Sequence, residues 1–241
     1  MMKHLVCAAS AFLFMLSSAY AAGEGSAVGV NPDAVSRLGN AERTLVVGAD
    51  VSIGERITTG PTGHVQLLFK DQTRLVVGPR STLEIETYLL NGSNADRFAV
   101  NALAGTFRFI SGNSPKSVYS IDTPTASIAV RGTEFDLSVG GGQSVLMLYE
   151  GALTLCRGNT CVDLEKRCDL GVIGPQMANV FGWPEERRND YVGYFPLPHI
   201  QAAFLREFRI NGAQSCLQVR QVAPDASIAP LLPQTSYRTG N

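Results

Sequence analysis

The stretch "YSIDTPTASIAVRGTEFDLSV", Tyr119 to Val139, decides how this chain folds. Phe135, Leu137 and Val139 are apolar, and Glu134, Asp136 and Ser138 alternate with them. Successive strand side chains point to opposite faces, so this is a half-buried strand with a core side and a wet side. Upstream, Thr123 and Pro124 interrupt a first apolar run, and Ala126 leads into a second that reaches Val130. A polar knot, Arg131-Gly132-Thr133, then separates Val130 from Phe135. An arginine at such a bend is expected to donate charge-assisted hydrogen bonds to carbonyls or to a carboxylate such as Glu150. Gly132 is expected to free the backbone for a bulge, and Thr133 to make a local hydroxyl bond. On this reading the knot is scaffold rather than a reactive site.

The same texture extends to both sides. "HVQLLF", "TRLVVG", "TLEIETYLL", "RFAVNALAGTFRFISG" and "SVLMLYEGALTLC" are rich in Val, Ile, Leu, Thr and Phe, with turn residues between them. "TLVVGADVSIGERITTG" is read as the first of the series. Short strands at this spacing predict an all-β domain over residues 44–165, a β-sandwich of jelly-roll kind. Weak echoes ("AGTFRF", "EGALTL", "VGADVSI") keep a short β-helical stack as the alternative. In each echo the Gly is expected to permit a tight entry into a strand. Residues 22–43 read as an N-terminal lead-in.

Composition limits the function classes. The chain has 241 residues, 45% hydrophobic and 17% charged, with a formal net charge of −1. No basic tract could neutralise a row of phosphates, so nucleic acid is not an expected partner. Lys3, an apolar run from Leu5 to Leu16 and the small-x-small pattern Ala19-Tyr20-Ala21 mark residues 1–21 as a cleaved signal peptide. That run is shorter than the ~20 residues that cross a bilayer. An exported chain, periplasmic or secreted, with no membrane span after cleavage is expected.

Export places Cys156, Cys161, Cys168 and Cys216 in an oxidising compartment, where an even number predicts two disulfides. Cys156 and Cys161 bracket a Gly-Asn loop and suit the mouth of a hairpin, which leaves Cys168 for Cys216. Four cysteines allow three connectivities, and the sequence alone does not choose. No Cys-x-x-Cys is present and His64 and His199 lie far off, so no metal site is expected. No catalytic motif or cofactor-binding loop occurs either, and the chain reads as a non-enzyme that needs no cofactor. Glu84 and Glu86 read as the wet side of a strand, and His64 as a residue at its solvent edge.

Residues 166–222 form a different region, a small appendage tied by disulfide. Phe181, Trp183, Tyr191, Tyr194 and Phe195 crowd fifteen residues. They make either a patch for a glycan or a protein partner, or a cover for an open sheet face. Pro184 is placed to open a short helix over Glu185 to Asn189, and "PHIQAAFLREFRING" reads as a second helix with Ile200, Phe204, Leu205 and Phe208 on one side. Residues 223–241 read as a Pro-rich loose tail.

Taken in order, the Gly and Val spacings of residues 45–90, then "GTFRF", "TPTASIAVRGTEF" and "LYEGALTL" resemble a FecR-type domain over about Leu45 to Leu155. The most specific element is the run Thr123, Pro124, Ala126, Val130, Arg131, Gly132, Thr133 and Phe135. The resemblance implies a periplasmic β-sandwich that relays or scaffolds protein contacts in the cell envelope, in signalling or assembly. In the namesake family a cytoplasmic anti-sigma segment and one transmembrane helix precede the domain. Only the export signal is read before it here, so the domain and its compartment carry over and the anti-sigma role does not.

Overall fold

One strand makes the architecture visible. In a straight strand Phe98 and Phe109 would stand ~36 Å apart, yet their ring centroids are 5.9 Å apart in the computed structural model. The strand that carries both, β9 (Asn94–Ile110), therefore bends sharply, and its two halves face each other across a core. The bend lies at Gly105, whose φ is +101°. A Cβ there would sit 2.2 Å from Ser81 Oγ. That hydroxyl donates to the Thr106 carbonyl and accepts from the Thr106 amide at 3.1 and 2.8 Å, which pins the corner. The expected tight glycine entry of "AGTFRF" takes this form.

The structure describes residues 23–174, 177–182 and 188–217. The expected signal peptide, Trp183, the expected helix start at Pro184 and the expected tail 223–241 lie outside the described residues.

The all-β expectation holds. β1 (Gly25–Asn31), β2 (Ala34–Leu38), β3 (Ala41–Thr44), β4 (Asp50–Val51), β5 (Arg56–Thr59), β6 (His64–Phe69), β7 (Arg74–Val77) and β8 (Thr82–Asn91) precede β9. β10 (Tyr119–Asp122), β11 (Ser127–Gly140), β12 (Gln143–Arg157), β13 (Thr160–Leu164), β14 (Asp169–Gly174) and β15 (Met177–Gly182) follow it. All belong to one hydrogen-bonded sheet. The first half of β9 pairs with β8 on one edge and, in parallel, with β10 on the other; its second half pairs with β7 and β11. From β8 the first layer continues through β5 and β2 to β3, and from β7 the second continues through β6 and β1 to β4. The residues set apart as a lead-in thus supply three strands of the same sheet.

Between the layers lies the main core, with Val65, Leu67, Phe69, Leu83, Ile85, Phe98, Phe107, Phe135 and Leu146 all buried. Its aromatics pack ring against ring: Phe69 and Phe98 are T-shaped at 4.8 Å, and Phe109 stacks on Phe135 at 5.5 Å. Each such side chain, fully buried, stabilises by roughly 1.5–3 kcal/mol. The turn Lys70-Asp71-Gln72-Thr73 is held by a buried carboxylate. Asp71 accepts from Tyr88, Tyr119 and Ser114 hydroxyls and from Thr73, at 2.8–3.1 Å.

The C-terminal region departs from the helical expectation. In place of one helix there are short turns: α1 (Arg188–Tyr191), α2 (Leu197–Ile200) and 3-10 turns at Gln201–Ala203, Arg206–Phe208 and Gln214–Cys216. The backbone is extended at Phe204 and Leu205, with ψ of 155° and 149°. The cause is tertiary: the Leu205 amide donates to Gln66 Oε1 at 2.7 Å, while Phe204 and Phe208 bury and Leu205 stays 40% exposed. A regular helix cannot meet these three demands together.

Candidate functional site

Strand register explains why the appendage docks where it does. Gly29, Gln66, Val76, Arg108, Asp136, Met147 and Leu170 stand opposite one another in a row across seven strands. The row lies on the sheet face that turns away from the main core. At Asp136 sequence alternation made this the wet face. In the structure residues 191–217 cover it: Tyr191, Phe195, Ile210, Ala213 and Leu217 pack on Val145, Met147, Tyr149 and Val172. Leu197, Phe204 and Phe208 pack on Val76.

Arg108 is the centre of this dry layer. It is fully buried and holds Asp136 with two parallel bonds of 2.7 and 2.8 Å. The remaining nitrogen reaches Gln201 Oε1 at 2.8 Å, and the guanidinium lies 5.9 Å from the ring centroids of both Tyr149 and Phe204. The Tyr149 hydroxyl also donates to Asp136, at 3.0 Å. Burial pushes that phenol well up from its usual range, and the Asp136 charge adds to it, so it remains a donor. Sequence reasoning missed Arg108 and Asp136, because "FRF" and "FDL" look the same with or without a cover over their polar face.

Body side chains also grip the cover by its backbone. Arg74 donates to the Glu207 carbonyl at 2.9 Å, and Arg167 to that of Asn211 at 2.8 Å. Cys168 is bonded to Cys216, with Cα atoms 5.3 Å apart, and Cys156 to Cys161, with Cα atoms 4.1 Å apart. The latter two are directly opposed in the β12–β13 hairpin. His64 is a correction: it is 8% exposed and meets Phe204 edge-on at 5.1 Å, and burial lowers its pKa.

The three described rings of the aromatic cluster join the same packing. Tyr191 and Phe195 are buried, and Tyr194 is half-buried with its hydroxyl accepting from Gln143. The proposed patch is corrected to that extent, because two of its rings face the sheet. Trp183 and the Phe181 side chain lie outside the described residues.

The Arg-Gly-Thr knot is a bulge, as Gly132 predicts: register shifts between Arg131 and Glu134 against β12, and Gly132 has φ of +72°. Its flanks differ from expectation. Arg131 is exposed and pairs with a carboxylate, but it is Asp163, two strands away on β13 at 3.2 Å, rather than Glu150. Thr133 is buried with no partner for its hydroxyl, although its carbonyl accepts from the Ser111 amide at 3.0 Å. Thr123 makes the local bonds instead, accepting from the Thr125 and Ala126 amides at 3.2 and 2.8 Å around Pro124. Val130 and Phe135 are core. Beyond the bulge Glu134 stands opposite Glu150, and burial, then repulsion from Glu150, raises its pKa.

Open strand edges lie at the far ends of the two layers, as they do at β13 and β15. Among the described strands β3 pairs with β2 alone and β4 with β1 alone. Between them runs a groove of about 510 Å³ lined by Ser36, Leu38, Ala41, Glu42, Arg43, Asp50, Ser52 and Glu55. Leu38 in its lining and Ile53 next to Ser52 are 48% and 40% exposed; Val46 and Val47, 58% and 63% exposed, lie in the loop between β3 and β4, with Val47 lining a separate hollow beside His64 and Leu205. Sequence reasoning placed this segment inside a strand. The signal it held was the unbroken apolar run Leu45-Val46-Val47, which a half-wet strand does not carry. Leu45 alone is buried there.

Residues 55–154 match the FecR protein family, a span that contains the whole motif from Thr123 to Phe135. Two crystal structures from Parabacteroides distasonis, each described as a "putative anti-sigma factor", are 14% identical with a TM-score of 0.43. Each match covers 52% of this chain and 57% of the other, so this chain spans little more than half the length of those structures. No curated protein matches the sequence.

Proposed function

With a FecR domain at residues 55–154 as the premise, we propose that this chain is a non-enzymatic, exported protein-interaction module of the cell envelope, acting in signalling or assembly. One observation carries the reading: the exposed apolar side chains of Leu38 and Ile53 lie beside strand edges, on β3 and β4, that are unpaired among the described residues. Exposed apolar patches beside free edges are where soluble β proteins take partners. Export is supported by the amino-terminal sequence pattern and by both disulfides, which suit an oxidising compartment. Among the described residues no helix is long and apolar enough to cross a membrane.

The glycan alternative rested on the aromatic cluster, and burial of Tyr191 and Phe195 removes two of its rings from any ligand. The test is photo-crosslinking in the cell, scanned over the exposed positions of the full chain, with adducts identified by mass spectrometry. Protein adducts are the expected result. Adducts to glycan alone would overturn the reading.

A further inference from the structure

The two layers form a ring with one pairing missing. Following hydrogen bonds from β3 through β2, β5, β8, β9, β7, β6 and β1 leads to β4, and β3 and β4 are consecutive in the chain. Every neighbour on that path is joined by a ladder except the two ends. The ends are bridged by one side chain: Arg43 donates from β3 to the Asp50 carbonyl of β4 at 2.5 Å, and to Glu55 at 2.7 Å. An arginine thus occupies the space where main-chain ladder bonds would otherwise run.

We infer that this seam receives one extended strand of a partner protein, apolar on one face and carrying a lysine or arginine. The inference rests on the interaction-module reading and names the partner's chemistry. A strand adds to a free edge through main-chain bonds, and alternate side chains confer its specificity. Here the incoming backbone has two edges that are free among the described residues, and its apolar face has Leu38 and Ile53 to cover. The charge follows from the lining. Glu42 is engaged by Arg37 and Glu55 by Arg43, and the exposed Asp50 carboxylate has no ion pair among the described residues. One unbalanced negative charge at the seam selects a basic residue on the incomer. A second copy of this chain is the poorer occupant. Two-fold self-pairing along the whole of β3 centres on Glu42 or Arg43 and sets each against its own copy, and like charges directly opposed destabilise a strand pair.

The test uses the full chain in the cell, with a photo-reactive phenylalanine analogue at Ala41 or Ser52 in the seam and at Leu89, exposed on β8, as the control. The expected result is a protein adduct from the seam positions whose mapped segment alternates apolar residues and holds a Lys or Arg. Asp50→Lys, which leaves the melt unchanged, should cut that adduct on the order of tenfold. An adduct with a second copy, an acidic or helical mapped segment, or insensitivity to Asp50→Lys overturns the inference. Protein adducts from Leu89 with none from the seam overturn the seam and leave the interaction module standing. No protein adduct at any position overturns both.

Discussion

Gly151 lies hard against the carbonyl of Gly132: a Cβ placed on Gly151 would stand 1.9 Å from that oxygen. Both residues have positive φ, +81° and +72°, on neighbouring strands at the bulge. Around Gly132 itself the nearest atoms belong to the flexible Lys116 side chain, at 3.1 Å and beyond. Gly151→Ala should therefore destabilise by roughly 2–4 kcal/mol, because backbone must move. Gly132→Ala should cost only about 1–2 kcal/mol, the strain of its conformation. Urea melts of the two variants check the order, and equal losses would contradict it.

The Arg131–Asp163 pair is exposed on both sides, so Arg131→Ala should shift stability by no more than about 1 kcal/mol. Thermal melting of the purified protein measures this directly. A loss several times larger would mean that Arg131 has a structural role its exposure does not suggest.

Arg108→Met leaves Asp136 charged and buried and should cost about 3–5 kcal/mol. Pairing it with Asp136→Leu should restore part of that loss, since the buried charge is gone while the Tyr149 hydroxyl loses its acceptor. Denaturant melts of both singles and the double form the cycle. Hydrogen exchange should show residues 201–213 opening first in Arg108→Met, because Arg108 holds Gln201 and the Phe208 carbonyl.

The two disulfides should differ in weight. Cys168–Cys216 closes a separation of 48 residues and Cys156–Cys161 one of 5. Chain entropy assigns the first about 4 kcal/mol and the second roughly 2. Serine replacement of each pair, followed by urea denaturation, should rank them in that order.

Two groups tie stability to pH with opposite signs. Burial lowers the His64 pKa below its usual 6.5, so the unfolded state binds the proton first and stability falls as pH drops below 6.5. His64→Phe should flatten that limb. Glu134 is raised above its ordinary 4.5, so it weakens the fold at neutral pH and that penalty fades as pH falls through its raised value. Glu134→Gln should therefore raise the midpoint at pH 7 and leave it unchanged below pH 4.5. Melts across this pH range check both signs.

Local chemistry was enough for the strands from β5 to β13, for the bulge at Gly132 and for the face of β11 that Phe135 and Leu137 turn to the core. Alternation and glycine placement act over a few residues, and both survive folding unchanged. It was not enough for Arg108, Asp136 or His64. A polar residue on an alternating strand reads as solvated until something covers it, and the cover here comes from Phe204 and Phe208, nearly a hundred residues on from Arg108. The expected helix over that segment failed for the same reason: Gln66 claims the Leu205 amide, and a bond from a distant strand outweighs a helical pattern worth a few tenths of a kcal/mol per residue. The seam between β3 and β4 has no local signature at all. It exists only because β9 bends at Gly105 and brings the two layers round until their edges meet without pairing.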